Sequence, residues 1–285
     1  MITTLILLFL MFLGLGFFGL IIATHTFVFM YLYVEYNLGT IYDHESFPVI
    51  PIKRYFKDYW LELYYLLGKY YLLPLKWVSL SVTKNRTSDV AILLVHGYCR
   101  NQSDWLWMRK KFNNINCPIF TVNLQPNLSS IENIANGSLP QKIAAIQQQT
   151  NCKKIILIGH SMGGLVASYY SEFLDPEKLI TAVITIASPL YGTKISVSAQ
   201  GDNAKEMCPE SEFLLALRKR MHQSSHKYYQ IGSKFDNIVF PWRSAFFEHA
   251  TAQQQLLIPA TTHLALLHST VVAQQLNNWV KDICE

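Results

Sequence analysis

Lys153-Lys154-Ile155-Ile156-Leu157-Ile158-Gly159-His160-Ser161-Met162-Gly163-Gly164 is the stretch on which the fold of this chain is decided. The apolar run from Ile155 to Ile158, bounded by polar residues, predicts a short strand buried on both faces, as in a parallel sheet. It leads directly into Gly-x-Ser-x-Gly. The two glycines remove Cβ atoms that would collide in a sharp strand-to-helix turn, and such a turn lifts the Ser161 hydroxyl to the C-terminal edge of the sheet. Beyond it Leu165, Val166, Tyr169, Tyr170 and Phe173 recur at helical spacing until Asp175-Pro176 stops the pattern. Strand, turn and helix all fall where a nucleophile elbow needs them, so Ser161 is the candidate nucleophile. A purely structural glycine turn is the competing reading, and the flanking elements weigh against it.

Outward from the elbow the chain alternates strand and helix signals. Strands are expected at Val90 to Val95, Ile119 to Asn123, Ile155 to Ile158, Ala182 to Ala187, Tyr228 to Ile231 and Gln255 to Ile258. Such alternation implies right-handed crossovers and a mainly parallel sheet of about six strands with helices on both faces, an α/β fold. Only Ser188 to Lys227 is long enough to act as a lid, and that lid would be small.

An acylating serine needs a base, an acid that orients it and donors for the oxyanion. Asp236 follows the expected strand Tyr228 to Ile231, and His263 follows Gln255 to Ile258 and is expected to open the last helix. Both belong at the sheet edge that presents Ser161. His268 is a rival base; Asp202, Glu206 and Glu248 are rival acids, none so soon after a strand. The oxyanion donors are read as the backbone N–H groups of Tyr98, in Leu94-Val95-His96-Gly97-Tyr98, and of Met162. His96 and His160 are read as structural. Nothing in this set calls for a cofactor, and the widely spaced Cys99, Cys117, Cys152, Cys208 and Cys284 have no metal-ligand spacing.

The 285 residues are 51% hydrophobic and 15% charged, which is apolar for a wholly soluble protein. Residues 5–34 contain no Asp, Glu, Lys or Arg, and about 20 apolar residues span a bilayer. The expected organisation is a transmembrane anchor at 1–36, an aromatic interfacial helical segment at 37–88 and a catalytic domain at 89–285. In the middle segment a helix is expected from about Asp58 to Leu80, bent at Pro74. Its Tyr and Trp residues suit either a headgroup layer or packing on the catalytic domain. The first basic residues, Lys53, Arg54 and Lys57, follow the span and would place the catalytic domain on the cytoplasmic side of a bacterial inner membrane. The net charge of +5 is mild and scattered, so no nucleic-acid partner is expected.

Val95-His96-Gly97-Tyr98, Gly159 to Gly164, Ala187-Ser188-Pro189-Leu190-Tyr191-Gly192-Thr193, Asp236-Asn237-Ile238-Val239 and Thr262-His263-Leu264 together resemble the α/β-hydrolase superfamily, within it the compact bacterial lipases and esterases. A membrane leader ahead of such a domain is similar to proteobacterial membrane hydrolases. The chain departs from larger members in showing neither antiparallel leading strands nor a large cap. The resemblance implies hydrolysis of carboxylic, lipid-like esters without metal, with Ser161, His263 and Asp236 as a triad and an acyl-enzyme intermediate. An acyl-thioesterase or phospholipid deacylase would use the same groups. A non-catalytic binding protein on the same fold is the alternative from another class.

Overall fold

In the computed structural model, residues 16, 18–27, 30, 52–71, 88–112 and 115–284 are described. The chain divides into two compact units, residues 1–66 and 67–285.

The second unit contains one sheet. β1 (Val90–Val95), β2 (Ile119–Val122), β3 (Lys154–His160), β4 (Ile180–Ile186), β5 (Lys227–Ser233) and β6 (Gln255–Ile258) lie in the order β2-β1-β3-β4-β5-β6, every neighbouring pair parallel. All six expected strands are present; β3 continues through Gly159 and His160 and β5 through Gly232 and Ser233. The alternation of side chains along β1 divides the core into two layers. Ala91, Leu93 and Val95 face one apolar cluster, and Val90, Ile92 and Leu94 face the other. The first is roofed by α3 (Ile131–Thr150), α4 (Met162–Phe173) and α6 (Glu212–His222), through residues such as Ile134, Leu165 and Leu217. The second is roofed by α2 (Leu106–Lys111) and α7 (Thr270–Cys284), through Met108, Val272, Leu276 and Trp279. Burial on both faces explains why β1 and β3 read as continuous apolar runs, each enclosed Ile or Leu contributing about 1.5–3 kcal/mol.

From β1 the chain crosses to β2 on one side, while β3 and all later strands build outward on the other. The loops after β1 and β3 therefore part at a topological switch point, where an α/β sheet opens a crevice beyond its strand ends. Val95 pairs with Gly159, so those two loops leave the sheet side by side.

The stretch Ser188 to Lys227 differs from the small lid it allows. α6 buries Leu214, Leu217 and Met221 in the core; it is the β4–β5 crossover helix and cannot lift away. The segment before it, with a 3₁₀ turn at Lys194–Ser198 and the short α5 (Asp202–Glu206), touches Tyr98 and Met162 through Gln200 and Asn203.

In the N-terminal unit, residues 18–27 are helical, and the Thr26 hydroxyl lies 2.6 Å from that of Tyr59. Among the described residues no helix is long and apolar enough to cross a membrane. The expected transmembrane helix of residues 1–36 thus has no support in the structure, and most of that segment lies outside the described residues. α1 (Ile52–Tyr71) begins six residues ahead of the Asp58 start expected from sequence; Pro74 and the rest of 72–87 lie outside the described residues. α1 buries Asp58, Glu62 and Leu63 and exposes Phe56, Trp60 and Tyr64 on one stripe.

The close approach of α4 to β1 gives a direct test. A Cβ on Gly163 would lie 2.4 Å from the carbonyl oxygens of both Val95 and His96, and backbone at a sheet edge has little room to give. Gly163→Ala is expected to lower stability by at least about 2 kcal/mol, read as the shift in urea midpoint; an unchanged midpoint contradicts the packing described.

Candidate active site

Ser161 stands between the last residue of β3 and the first of α4 with φ 57° and ψ −131°. A left-handed φ is unfavourable for a residue with a Cβ and persists only where the surroundings over-determine it. Here they do. The Ser161 N–H donates to Ile186 O at 2.8 Å and its carbonyl accepts from Gly164 N at 3.0 Å. A Cβ on Gly159 would be 2.4 Å from the Gly164 nitrogen, so the turn closes only with glycine there. The Ser161 side chain does not cap α4, which leaves its hydroxyl uncommitted to the helix.

Gly97, after β1, packs directly on this residue. A Cβ there would lie 3.0 Å from Ser161 Cβ and 3.5 Å from its Oγ. The next residue is Tyr98, whose hydroxyl donates to Gln200 O at 2.7 Å and accepts from Gln200 N at 3.1 Å, tying the loop after β1 to the segment after β4. Met162 opens α4. A first-turn N–H has no acceptor within its own helix, and the helix dipole makes that end favourable for negative charge.

His263 and Asp236 are brought together. Nδ1 of His263 lies 2.9 Å from Asp236 Oδ2 and 3.1 Å from Oδ1, both residues being 3% exposed. A carboxylate only accepts, so Nδ1 carries the hydrogen and Nε2 is left basic. Asp236 Oδ1 also accepts from Ile238 N at 2.8 Å and Val239 N at 2.7 Å. Its orientation is therefore fixed by backbone as well as by the imidazole. Asn237 Oδ1 accepts from the His263 N–H at 2.9 Å, a role not evident from sequence because it depends on a contact 26 residues away. The loops of Ser161 and His263 also touch: His160 Nε2 is 3.2 Å from His263 O.

The position of His263 corrects one expectation. It does not open the last helix; it lies in a turn followed by a 3₁₀ segment, Ala265–His268, and α7 starts only at Thr270. The extended backbone of Ser269, φ −84° and ψ 125°, breaks the helix that the apolar pattern suggested.

The rival groups have other partners. Asp202 pairs with Lys205 at 3.1 Å, Glu206 accepts from Ile131 N at 2.6 Å near the start of α3, and Glu248 lies 3.9 Å from His222. Among the described residues Asp236 is the carboxylate bonded to His263. His96 is structural: its Nε2 accepts from Leu124 N at 2.9 Å, which leaves Nδ1 to donate to Gly97 O at 2.9 Å. His268 lies beside Trp107 with ring centroids 5.6 Å apart, and burial pushes its pKa down to about 4. Among the described residues no group of three or more His, Cys, Asp or Glu could hold a metal ion.

Residues 86–207 match the family model described as PGAP1-like alpha/beta domain. No curated protein sequence matches the chain. The mature form of lipase BlEst2 from Bacillus licheniformis superposes with a TM-score of 0.56 at 14% identity, covering 72% of this chain and 95% of that one. Lipase B of Aspergillus fumigatus gives a TM-score of 0.57 at 16% identity, covering 70% of this chain and 57% of that one. The lin2722 gene product of Listeria innocua gives 0.50 at 15% identity, covering 68% and 94%. At such identities the likeness speaks for architecture: residues 90–284 have the α/β-hydrolase fold.

The two buried histidines near the site set a pH dependence of stability. His268 is held down to about 4 by burial, opposed by its bond to Leu264 O, and His160 is held well below its ordinary 6.5 by burial and by the neighbouring His263. Both bind protons more readily in the unfolded chain. Stability is therefore complete above about pH 6.5 and falls as the pH is lowered through that value, for His268 as far as about 4. His268→Gln is expected to remove roughly 2–4 kcal/mol of this acid loss, read from urea midpoints at pH 7 and pH 4. An equal drop in wild type and variant contradicts it.

Proposed function

We propose that this chain is a serine hydrolase that cleaves carboxylic, lipid-like esters through an acyl-enzyme, with Ser161 as nucleophile, His263 as general base and acid, and Asp236 as the orienting carboxylate. The observation that carries the reading is the left-handed Ser161 at the strand–helix turn, whose neighbour His160 bonds the backbone of His263, itself paired with Asp236. Such strain is retained where it does chemistry.

In the proposed reaction His263 Nε2 takes the Ser161 hydroxyl proton as Oγ attacks the acyl carbon. The N–H groups of Tyr98 and Met162 hold the oxygen that gains charge, each such donor typically contributing about 2.7–4 kcal/mol to the barrier reduction. The tetrahedral species collapses to the Ser161 ester as His263 returns the proton to the leaving alkoxide. Water then enters, His263 removes its proton, and a second collapse releases the carboxylic acid and restores the serine. Asp236 stays ionised throughout and stabilises the imidazolium. The same sequence applies to thioesters and phospholipid acyl groups.

Lipid-like substrates are supported by the structural likeness to lipases and by two features of the N-terminal part. Residues 5–34 lack Asp, Glu, Lys and Arg, and α1 turns Phe56, Trp60 and Tyr64 outward while burying two carboxylates. Aromatic side chains of this kind favour the headgroup layer. We place the chain at a bilayer, anchored through residues 1–36, with α1 at the interface and the hydrolase domain on the cytoplasmic side, so that the enzyme meets esters where they partition.

A fluorophosphonate probe is expected to label the purified full chain, and Ser161→Ala to abolish the labelling. Asp236→Asn is expected to cut kcat on acyl esters by about 10⁴-fold, because the amide favours the wrong imidazole tautomer. A wild-type chain that ignores the probe, or an alanine variant that still reacts, defeats the reading.

A further inference from the structure

The histidine inside the elbow has a second connection to the chemistry. His160 is 1% exposed. Its Nε2 lies 3.2 Å from the carbonyl oxygen of His263, and the two rings are 4.5 Å apart, tilted by 47°. A carbonyl only accepts, so Nε2 carries the hydrogen and the ring is neutral with a bare Nδ1. That Nδ1 is buried with no hydrogen-bond partner. Burying a polar nitrogen without a protein partner is unfavourable, a penalty that a leucine or methionine at this position would not carry. Packing alone therefore does not account for a histidine here, whereas its Nε2 bond does.

The backbone geometry shows what it holds. The His263 N–H is fixed by Asn237 Oδ1 at 2.9 Å and its C=O by His160, so the main chain of the base is clamped from both sides. The two clamps come from informative places. Asn237 adjoins Asp236, the acid, and His160 adjoins Ser161, the nucleophile. We propose that His160 is a positioning residue: its Nε2–H ties the His263 backbone to the nucleophile's own strand, so that the base and the serine keep register with each other.

The inference rests on the serine-hydrolase reading above. The base must be held because a displacement of about 1 Å between reacting groups can cost on the order of 10²-fold in rate. His160 must also stay neutral, since a second cation beside His263 would oppose the proton it accepts. Burial, reinforced by the neighbouring His263 imidazole and by Arg100, keeps its pKa well below the ordinary value.

The test compares His160→Leu, which fills the space without a donor, with His160→Gln, whose side-chain amide can reach the same carbonyl. Both are made in the full chain and assayed on a soluble p-nitrophenyl ester, with rates normalised to the folded fraction from thermal melts. His160→Leu is expected to lower kcat by about 10- to 100-fold, leave KM within about twofold and slow fluorophosphonate labelling in proportion. His160→Gln is expected to recover most of kcat. Unchanged kcat in His160→Leu, equal losses in both variants, or a loss confined to KM overturns the proposal. If wild type itself ignores the fluorophosphonate, it is the hydrolase reading that fails, a result distinct from any of these.

Discussion

The structure depends on one constraint, a non-glycine residue forced into left-handed backbone at the end of a buried strand. Ser161 is held at φ 57° by bonds at both its N–H and its carbonyl. Around it the chain is stripped of Cβ atoms wherever another segment approaches: Gly159 against the Gly164 nitrogen, Gly163 against the ends of β1. A strained turn of this kind is stable only because the flanking strand and helix are fixed independently by two layers of apolar core. The enclosed strands supply the stability, and the elbow uses part of it to present one hydroxyl.

The loops that carry the other candidate groups leave the same edge of the sheet as Ser161. Because the sheet is parallel, every strand ends on that side, so the loops after β1, β3, β5 and β6 converge without any long excursion of the chain. They are then linked to one another by specific contacts. Gly97 rests on Ser161, Asp236 and Asn237 hold the His263 side chain and N–H, and His160 reaches the His263 carbonyl. The acid gains its orientation from two backbone donors rather than from solvent.

Much of this was legible in the residues because the signals were local. Buried parallel strands read as short apolar runs, as β1 and β3 do; the elbow declared itself through glycines at fixed offsets. Asp236 and His263 each follow a strand closely, which is what singled them out, and the fold brings them into hydrogen-bond contact. What could not be read depended on long-range packing. The apolar residues Leu264, Leu266 and Leu267 continued the helical pattern of α7 backward, yet Ser269 breaks it and leaves His263 in a turn. Likewise the length of Ser188 to Lys227 left room for a lid, yet α6 within it packs Leu214, Leu217 and Met221 on the core. The roles of His160 and Asn237 depend on partners 103 and 26 residues away, and no spacing rule encodes them.

The central claim is that an acyl group passes through Ser161. Stopped-flow mixing of the full chain with a p-nitrophenyl ester, quenched in acid and followed by peptide mass mapping, measures it directly. The account predicts a burst of nitrophenol approaching one equivalent per chain and an acyl mass increment on the peptide containing Ser161. Turnover with no burst and no adduct when deacylation is slowed, or an adduct on any other residue, contradicts it.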